Sequence, residues 1–432
     1  MNVKTVNSDS AKDYIFLQTL LGYGASNTAQ VLENIDDING IFAADESKLK
    51  SFGLTPAQIK RKALAKTNSE NVLKLCAKEG IKIITIDDNL YPDDLKHIFA
   101  PPVVLYALGD MPDLSRHLAV TVVGTRSSSD YGKQAAFSLC ARLSLAGAVI
   151  VSGDAIGGDS FSHLGALAVS GKTIAVTGGG VLSHYLAKSE ELRRKIVAHG
   201  GVLVSEFQPT FMPHGKGSFH IRNRILAGIS QAVAVTEAGA SSGALITAHI
   251  AAEEGKNVFA MPGRPNDPVS VGTNKLISEG ATPLLSPSDI LLGNYGRDFE
   301  IDVQAMERIS AKELKREYML CGDTQYKPIR FKADKKAKDK NADGQSKSKG
   351  GLFGGKTSEK AAEREKQRQR GAEKRLSGNM LTVYRCLSSD GDLTDDIVKK
   401  TGLGTSEVLS ALTKLEIFGL AKSMPGSKYS LK

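Results

Sequence analysis

Residues 118–180 read LAVTVVGTRSSSDYGKQAAFSLCARLSLAGAVIVSGDAIGGDSFSHLGALAVSGKTIAVTGGG. Three short Val/Ile/Ala runs, 118–123, 148–152 and 173–177, alternate with two stretches long enough for helices. Each run ends in glycine: GTRSSSDYG, SGDAIGGDS and TGGG. Unbroken apolar runs of this length suit strands buried on both faces, and their alternation with helices predicts a parallel sheet covered on both sides. Three more runs, at 202–205, 232–236 and 257–260, extend the pattern. The expected fold class is α/β, a Rossmann-like, doubly wound, mostly parallel sheet.

Working outward, four regions emerge. Residues 1–85 read as a helical module, in which LKSFGLTPAQIKRKAL (49–64) forms a helix–turn–helix hairpin. Some hairpins of this kind hold DNA backbones through the turn, but packing alone explains this one more simply. Residues 86–298 form the sheet domain. Residues 299–376 are expected to be a basic linker, because KADKKAKDKNADGQSKSKG and EKAAEREKQRQRGAEKR contain almost nothing that could build a core. Residues 377–432 suit a winged helix, with Val408, Leu412 and Leu415 on one helical face and a hairpin across Pro425-Gly426.

The net charge of +9 invites a nucleic-acid reading, but its position matters more. Residues 332–375 hold 15 Lys/Arg against 7 Asp/Glu, leaving about +1 for the rest of the chain. Any nucleic-acid site on the folded part must therefore be a local patch. The C-terminal module carries 7 basic and 6 acidic residues, and Glu407, Ser410 and Lys414 on its presumed recognition helix make a poor phosphate binder. The four cysteines are widely spaced and suggest neither a disulfide framework nor a zinc ribbon. No apolar run reaches the roughly 20 residues of a membrane span. A cytoplasmic protein is expected.

Ligands of open parallel sheets bind beyond the carboxyl ends of the strands. Arg126 lies in the first glycine loop, with the backbone free to approach an anion closely. The stretch GKGSFHIRNRILAGIS (215–230) follows the fourth run and adds Lys216, Phe219, Arg222 and Arg224. Cations interleaved with an aromatic are what a sequence-tolerant single-strand groove requires. Against this stands a core role for Phe219 and pairing of one arginine with Glu206 or Glu237. The scattered histidines, His163, His184, His214 and His249, read as structural or surface residues.

The segments GTRSSSDYG, SGDAIGGDSFSHLGAL, RNR-I-x-AGIS, TEAGASSGALITA and MPG…GTNKLISEGA, preceded by YPDDLKHIFAPPVVLYALGD, resemble the DNA-processing protein A (DprA/Smf) family over about residues 90–295. The resemblance implies a recombination mediator of natural transformation that binds and protects incoming single-stranded DNA, forms homodimers and helps load RecA recombinase. It implies DNA contacts at Arg126, Lys188, Lys216 and Phe219, and at Arg222, Asn223 and Arg224 of the RNR motif. Ser152, Gly153, Ser242 and Gly243 in the glycine loops complete the expected set. Catalytic residues, metals and cofactors are not expected. This chain departs from the family pattern at Ile156 and Ile221, where cations are usual, and at Tyr185-Leu186, where Tyr-Pro is usual. Weaker DNA binding is the corresponding expectation. Two alternatives remain: a phosphoribohydrolase-like Rossmann enzyme, and a transcription regulator acting through the winged helix.

Overall fold

The computed structural model describes residues 8–321 and 378–431, apart from 186, 297, 389–390, 418–419 and 425–427. Two compact units comprise residues 1–333 and 334–432.

The first unit opens with helices α1 (Ser8–Leu21), α2 (Thr28–Glu33), α3 (Glu46–Ser51), α4 (Pro56–Ile59) and α5 (Lys62–Glu79). Thr55 and Gln58 form a capping box at the start of α4. The turn before it spends its amides internally. Phe52 N donates to Lys48 O, Gly53 N to Lys50 O, Leu54 N to Leu49 O, and Thr55 N to Gln58 Oε1. Leu54 and Ile59 on either side of that turn bury in the core of the N-terminal module.

Nine strands follow among the described residues: β1 (Lys82–Thr85), β2 (Val104–Gly109), β3 (Ala119–Val123), β4 (Val149–Gly153), β5 (Thr173–Val176), β6 (Val202–Ser205), β7 (Ala232–Val235), β8 (Asn257–Ala260) and β9 (Thr282–Pro283). They form one sheet in the order β1-β2-β6-β5-β4-β3-β7-β8-β9. Pairing is parallel from β6 to β9, whereas β2 runs antiparallel to both β6 and β1. The mostly parallel α/β class agrees with the sequence reading, which lacked β1, β2 and β9.

The helices of this unit are α6 (Asp93–Lys96), α7 (Asp130–Leu145), α8 (Gly158–Ala168), α9 (Glu190–Ala198), α10 (Gly217–Gly228), α11 (Gly243–Glu253), α12 (Val271–Ser278), α13 (Pro287–Leu291) and α14 (Ala311–Leu320). Alternate residues of β3 show how they cover the sheet. Ala119 and Val123 face Ile225 and Leu226 of α10 and Ala248 of α11. Val120 and Val122 face Leu139 and Leu143 of α7. Each fully buried Val or Leu contributes about 1.5–3 kcal/mol, so both layers are strongly held. The N-terminal helices share a third cluster with Tyr106, Ala175 and Leu203, covering the β2–β6–β5 end of one face.

The expected linker start at 299 is corrected. Residues 303–308 form a 3₁₀ turn and α14 continues the fold. Ile309, Leu314 and Cys321 bury against Phe137 and Ala141 of α7, enough apolar contact to hold the segment on the sheet domain. Residues 322–376, the remainder of the expected linker, lie outside the described residues, as does residue 377.

The second unit contains α15 (Gly378–Cys386), β10 (Asp392–Leu393), α16 (Thr394–Thr401), α17 (Thr405–Ile417), β11 (Ala421–Met424) and β12 (Lys428–Leu431), with strand order β10-β12-β11. Val408, Leu412 and Leu415 are fully buried with Val383 and Ile397. Glu407 accepts from Gly404 N and from Asn379, capping its own helix. The side chains of Ser410 and Lys414, and the turn at Pro425-Gly426, lie outside the described residues.

Candidate nucleic-acid interface

The strand order reverses at β3: β4, β5 and β6 lie on one side and β7 and β8 on the other. Beyond the carboxyl ends of β3 and β7, the switch point where such sheets bind ligands, lies an open cleft of about 620 Å³. Gly124, Thr125 and Arg126 line one wall, Ser241, Ser242 and Gly243 another, and Lys216, Phe219, His220, Arg222 and Asn223 of the β6–α10 segment a third.

The Arg126 loop is held at both ends. Thr125 N donates to Glu237 O at the end of β7 (2.8 Å). The buried Glu237 carboxylate accepts from Ser129 N at 2.9 Å and Ser129 Oγ at 2.5 Å. Ser129 in turn caps α7 through Gly132 N. Gly124 closes the floor because a Cβ there would lie 2.6 Å from Thr236 Oγ1 and 3.1 Å from Gly158 Cα.

Helix geometry sorts the residues of α10. Each residue advances the helix by 100°, so positions three or four apart share a face and positions two apart are nearly opposed. Phe219, Arg222 and Leu226 line the cleft. Ile221 and Arg224 point the other way, toward Gly24 of the N-terminal module: a Cβ on Gly24 would lie 3.3 Å from Ile221 Cγ2 and 3.4 Å from Arg224 Nε. Arg224 donates to Glu206 at 2.5 Å, with side chains 13% and 4% exposed. Burial, partly offset by Arg224, holds the Glu206 carboxyl above its usual range.

On the cleft side, Phe219 is half-buried. Its ring lies so close to Gly178 that any side chain there would collide, and its edge meets Tyr185 at 5.9 Å. The Arg126 guanidinium sits over the ring, 5.5 Å from its centroid. Arg126 and Lys216 are both exposed, and no carboxylate pairs with either among the described residues. Arg222 is the opposite case, only 5% exposed. Its Nη1 donates to Val176 O at 2.9 Å, and the guanidinium crowds over Gly153 beside Asp159. Burial raises the Asp159 carboxyl to about 6, against the pull of Arg222 and of the Ala155 and Gly124 amides.

Seven of the expected residues therefore meet at one cleft: Arg126, Lys216, Phe219, Arg222, Asn223, Ser242 and Gly243. Four do not. Ser152 lies beneath the floor, donating to Val122 O, and Gly153 underlies Arg222. Arg224 is committed to Glu206. The side chain of Lys188 lies outside the described residues. Ile221 faces Gly24, so a cation there would not enter the cleft. Ile156 is 38% exposed. Asp154 places no free charge in the cleft, because it is paired with Arg193 and accepts from Tyr185 (2.9 Å). Leu186 lies outside the described residues. The polar lining residues missed by the sequence reading are His220, which sits inside the GKGSFHIRNR stretch, Thr125, Asp159, Ser241 and Thr247. His163 is structural: fully buried, it lies 2.7 Å from Thr173 Oγ1 and 2.8 Å from Gly153 O, and burial lowers its pKa to about 4.

Comparison with known proteins identifies the family. The family model described as DNA recombination-mediator protein A matches residues 82–293, and the DprA winged helix domain model matches 367–427. The DNA processing protein DprA of Bacillus subtilis is 41% identical over 219 residues, 51% of this chain and 73% of the relative. Protein Smf of Escherichia coli is 36% identical over 248 residues, 57% of this chain and 66% of the relative. The crystal structure of DprA from Streptococcus pneumoniae covers 65% of this chain and 96% of its own, with a TM-score of 0.55 and 32% identity. With matched segments spanning the sheet, the cleft and the winged helix, the chain belongs to the DprA/Smf family of DNA-processing proteins.

Proposed function

We propose that the cleft at the β3–β7 switch point binds single-stranded DNA and that the protein is a non-enzymatic recombination mediator. One observation carries this reading: two exposed cations, Arg126 and Lys216, with no carboxylate partner among the described residues, flank the half-buried Phe219 ring above a glycine-built floor. Phosphates take the cations and a base stacks on Phe219 once Arg126 moves off its face. Loading of RecA, homodimerisation, protection of incoming DNA in transformation and a cytoplasmic location belong to the same proposal and rest on family membership. No described helix is long and apolar enough to cross a membrane.

Fluorescence anisotropy with oligothymidylate and with duplex of equal length tests the reading. Single-strand preference, with affinity falling as salt rises, supports it. Equal or tighter duplex binding removes it. The enzyme alternative has one observation in its favour, the Asp159 carboxyl raised to about 6 at the floor of a nucleotide-sized cleft. Release of base from a nucleoside monophosphate, abolished in Asp159→Asn, would establish it. The winged-helix model that matches is the family's own, which does not favour the regulator alternative.

A further inference from the structure

The segment between β6 and α10 ends at Lys216 and leads into Phe219 on α10, and the α1–α2 loop of the N-terminal module holds both the start of that segment and the back of α10. At its start, Tyr23 packs edge-on to Phe207 and Phe211 with centroids 4.7 and 5.5 Å away, and those two rings stack at 4.7 Å. Tyr23 OH also accepts from Gln208 N at 3.3 Å. Directly after β6, Gly24 N donates to Glu206 Oε1 at 3.3 Å, the same oxygen that receives Arg224 of α10. Gly24 has φ +64 and sits against Ile221, where a Cβ would begin to crowd the helix.

Every one of these contacts falls on the side of the segment away from the cleft. The loop therefore sets where α10 and the preceding turn lie without touching a ligand in the cleft.

We infer that Tyr23 and Gly24 of the N-terminal module are positioning residues for the DNA cleft, coupling the order of the α1–α2 loop to occupancy of the Lys216–Phe219–Arg222 wall. The inference rests on the proposed single-strand site. Coupling is reciprocal: if the loop orders the cleft wall, a strand in the cleft must order the loop.

Hydrogen exchange of the full chain, with and without saturating oligothymidylate, reads this directly. Exchange across residues 22–27 is expected to slow at least about fivefold on binding, the lower bound of ordinary site-to-site coupling. Tyr23→Ala is expected to weaken oligothymidylate binding about tenfold, within the same coupling range, while Tyr23→Phe, which keeps the ring contacts, stays near wild type. Oligothymidylate that binds wild type but leaves exchange of 22–27 unchanged overturns the inference alone, and so does a Tyr23→Ala variant that binds normally. Failure of wild type to bind oligothymidylate removes the single-strand reading and this inference with it.

Discussion

Arg222 and Arg224 stand two residues apart in one motif, yet their truncation should have different consequences. Arg224→Ala leaves Glu206, 3% exposed, with Gly24 N as the remaining donor to its carboxylate. Removing one partner of a buried ion pair costs about 3–5 kcal/mol. The lower end applies here, because the Arg224 side chain is 13% exposed and Gly24 N still donates to Glu206. Urea unfolding should therefore show a loss of about 3 kcal/mol. The double variant Glu206→Gln/Arg224→Met should recover most of it, because no charge is then left buried alone. The salt dependence of single-strand binding should keep its slope, since Arg224 meets no phosphate. A variant of normal stability whose slope falls by about 0.7, the value of one single-strand phosphate contact, would refute the assignment of Arg224 to the interior.

Three further outcomes are expected. Phe219→Ala should cost about 1–3 kcal/mol of single-strand affinity if a base stacks there; unchanged affinity in a folded variant would make the ring purely structural. Asp159 and His163, one turn apart on α8, should impose opposite pH dependences. Asp159, raised from 3.8 to about 6, favours the fold below pH 3.8 and loses that contribution, about 3 kcal/mol, as pH rises through 6. His163, lowered from 6.5 to about 4, favours the fold above pH 6.5 and loses a similar amount as pH falls through 4. Their slopes should largely cancel between pH 4 and 6 in wild type and emerge separately: stability falling with rising pH in His163→Gln, and falling with dropping pH in Asp159→Asn. Unfolding of both variants across this range, with parallel profiles, would contradict the assignment.

The parallel strands were legible because helices bury both their faces, which writes each as an unbroken apolar run closed by glycine. β1 and β2 were less so. KIIT is short and one end is exposed, and the apolar VLYALG lies outside the βα rhythm, pairing antiparallel with a strand nearly a hundred residues later. Rim cations could be read from GTRSSSDYG and GKGSFHIRNR, since exposed Arg and Lys need no partner to be recognised. The inward residues could not. Whether Arg222 or Arg224 faces the cleft depends on where α10 sits against the sheet, and Asp154 is answered by Arg193, far along the chain. Likewise α14 looked like linker because Ile309, Leu314 and Cys321 are too few to mark a core until α7 supplies the other half.

Arg126 and Lys216 are the proposed phosphate contacts of the single-strand cleft. The most direct test is the salt dependence of oligothymidylate binding by wild type and by Arg126→Ala/Lys216→Ala. Both side chains are exposed, so stability should change by no more than about 0.5 kcal/mol. The predicted result is weaker binding with a slope reduced by about 1.4, two single-strand phosphate contacts. Wild-type affinity and slope in that variant would place the DNA elsewhere on the protein.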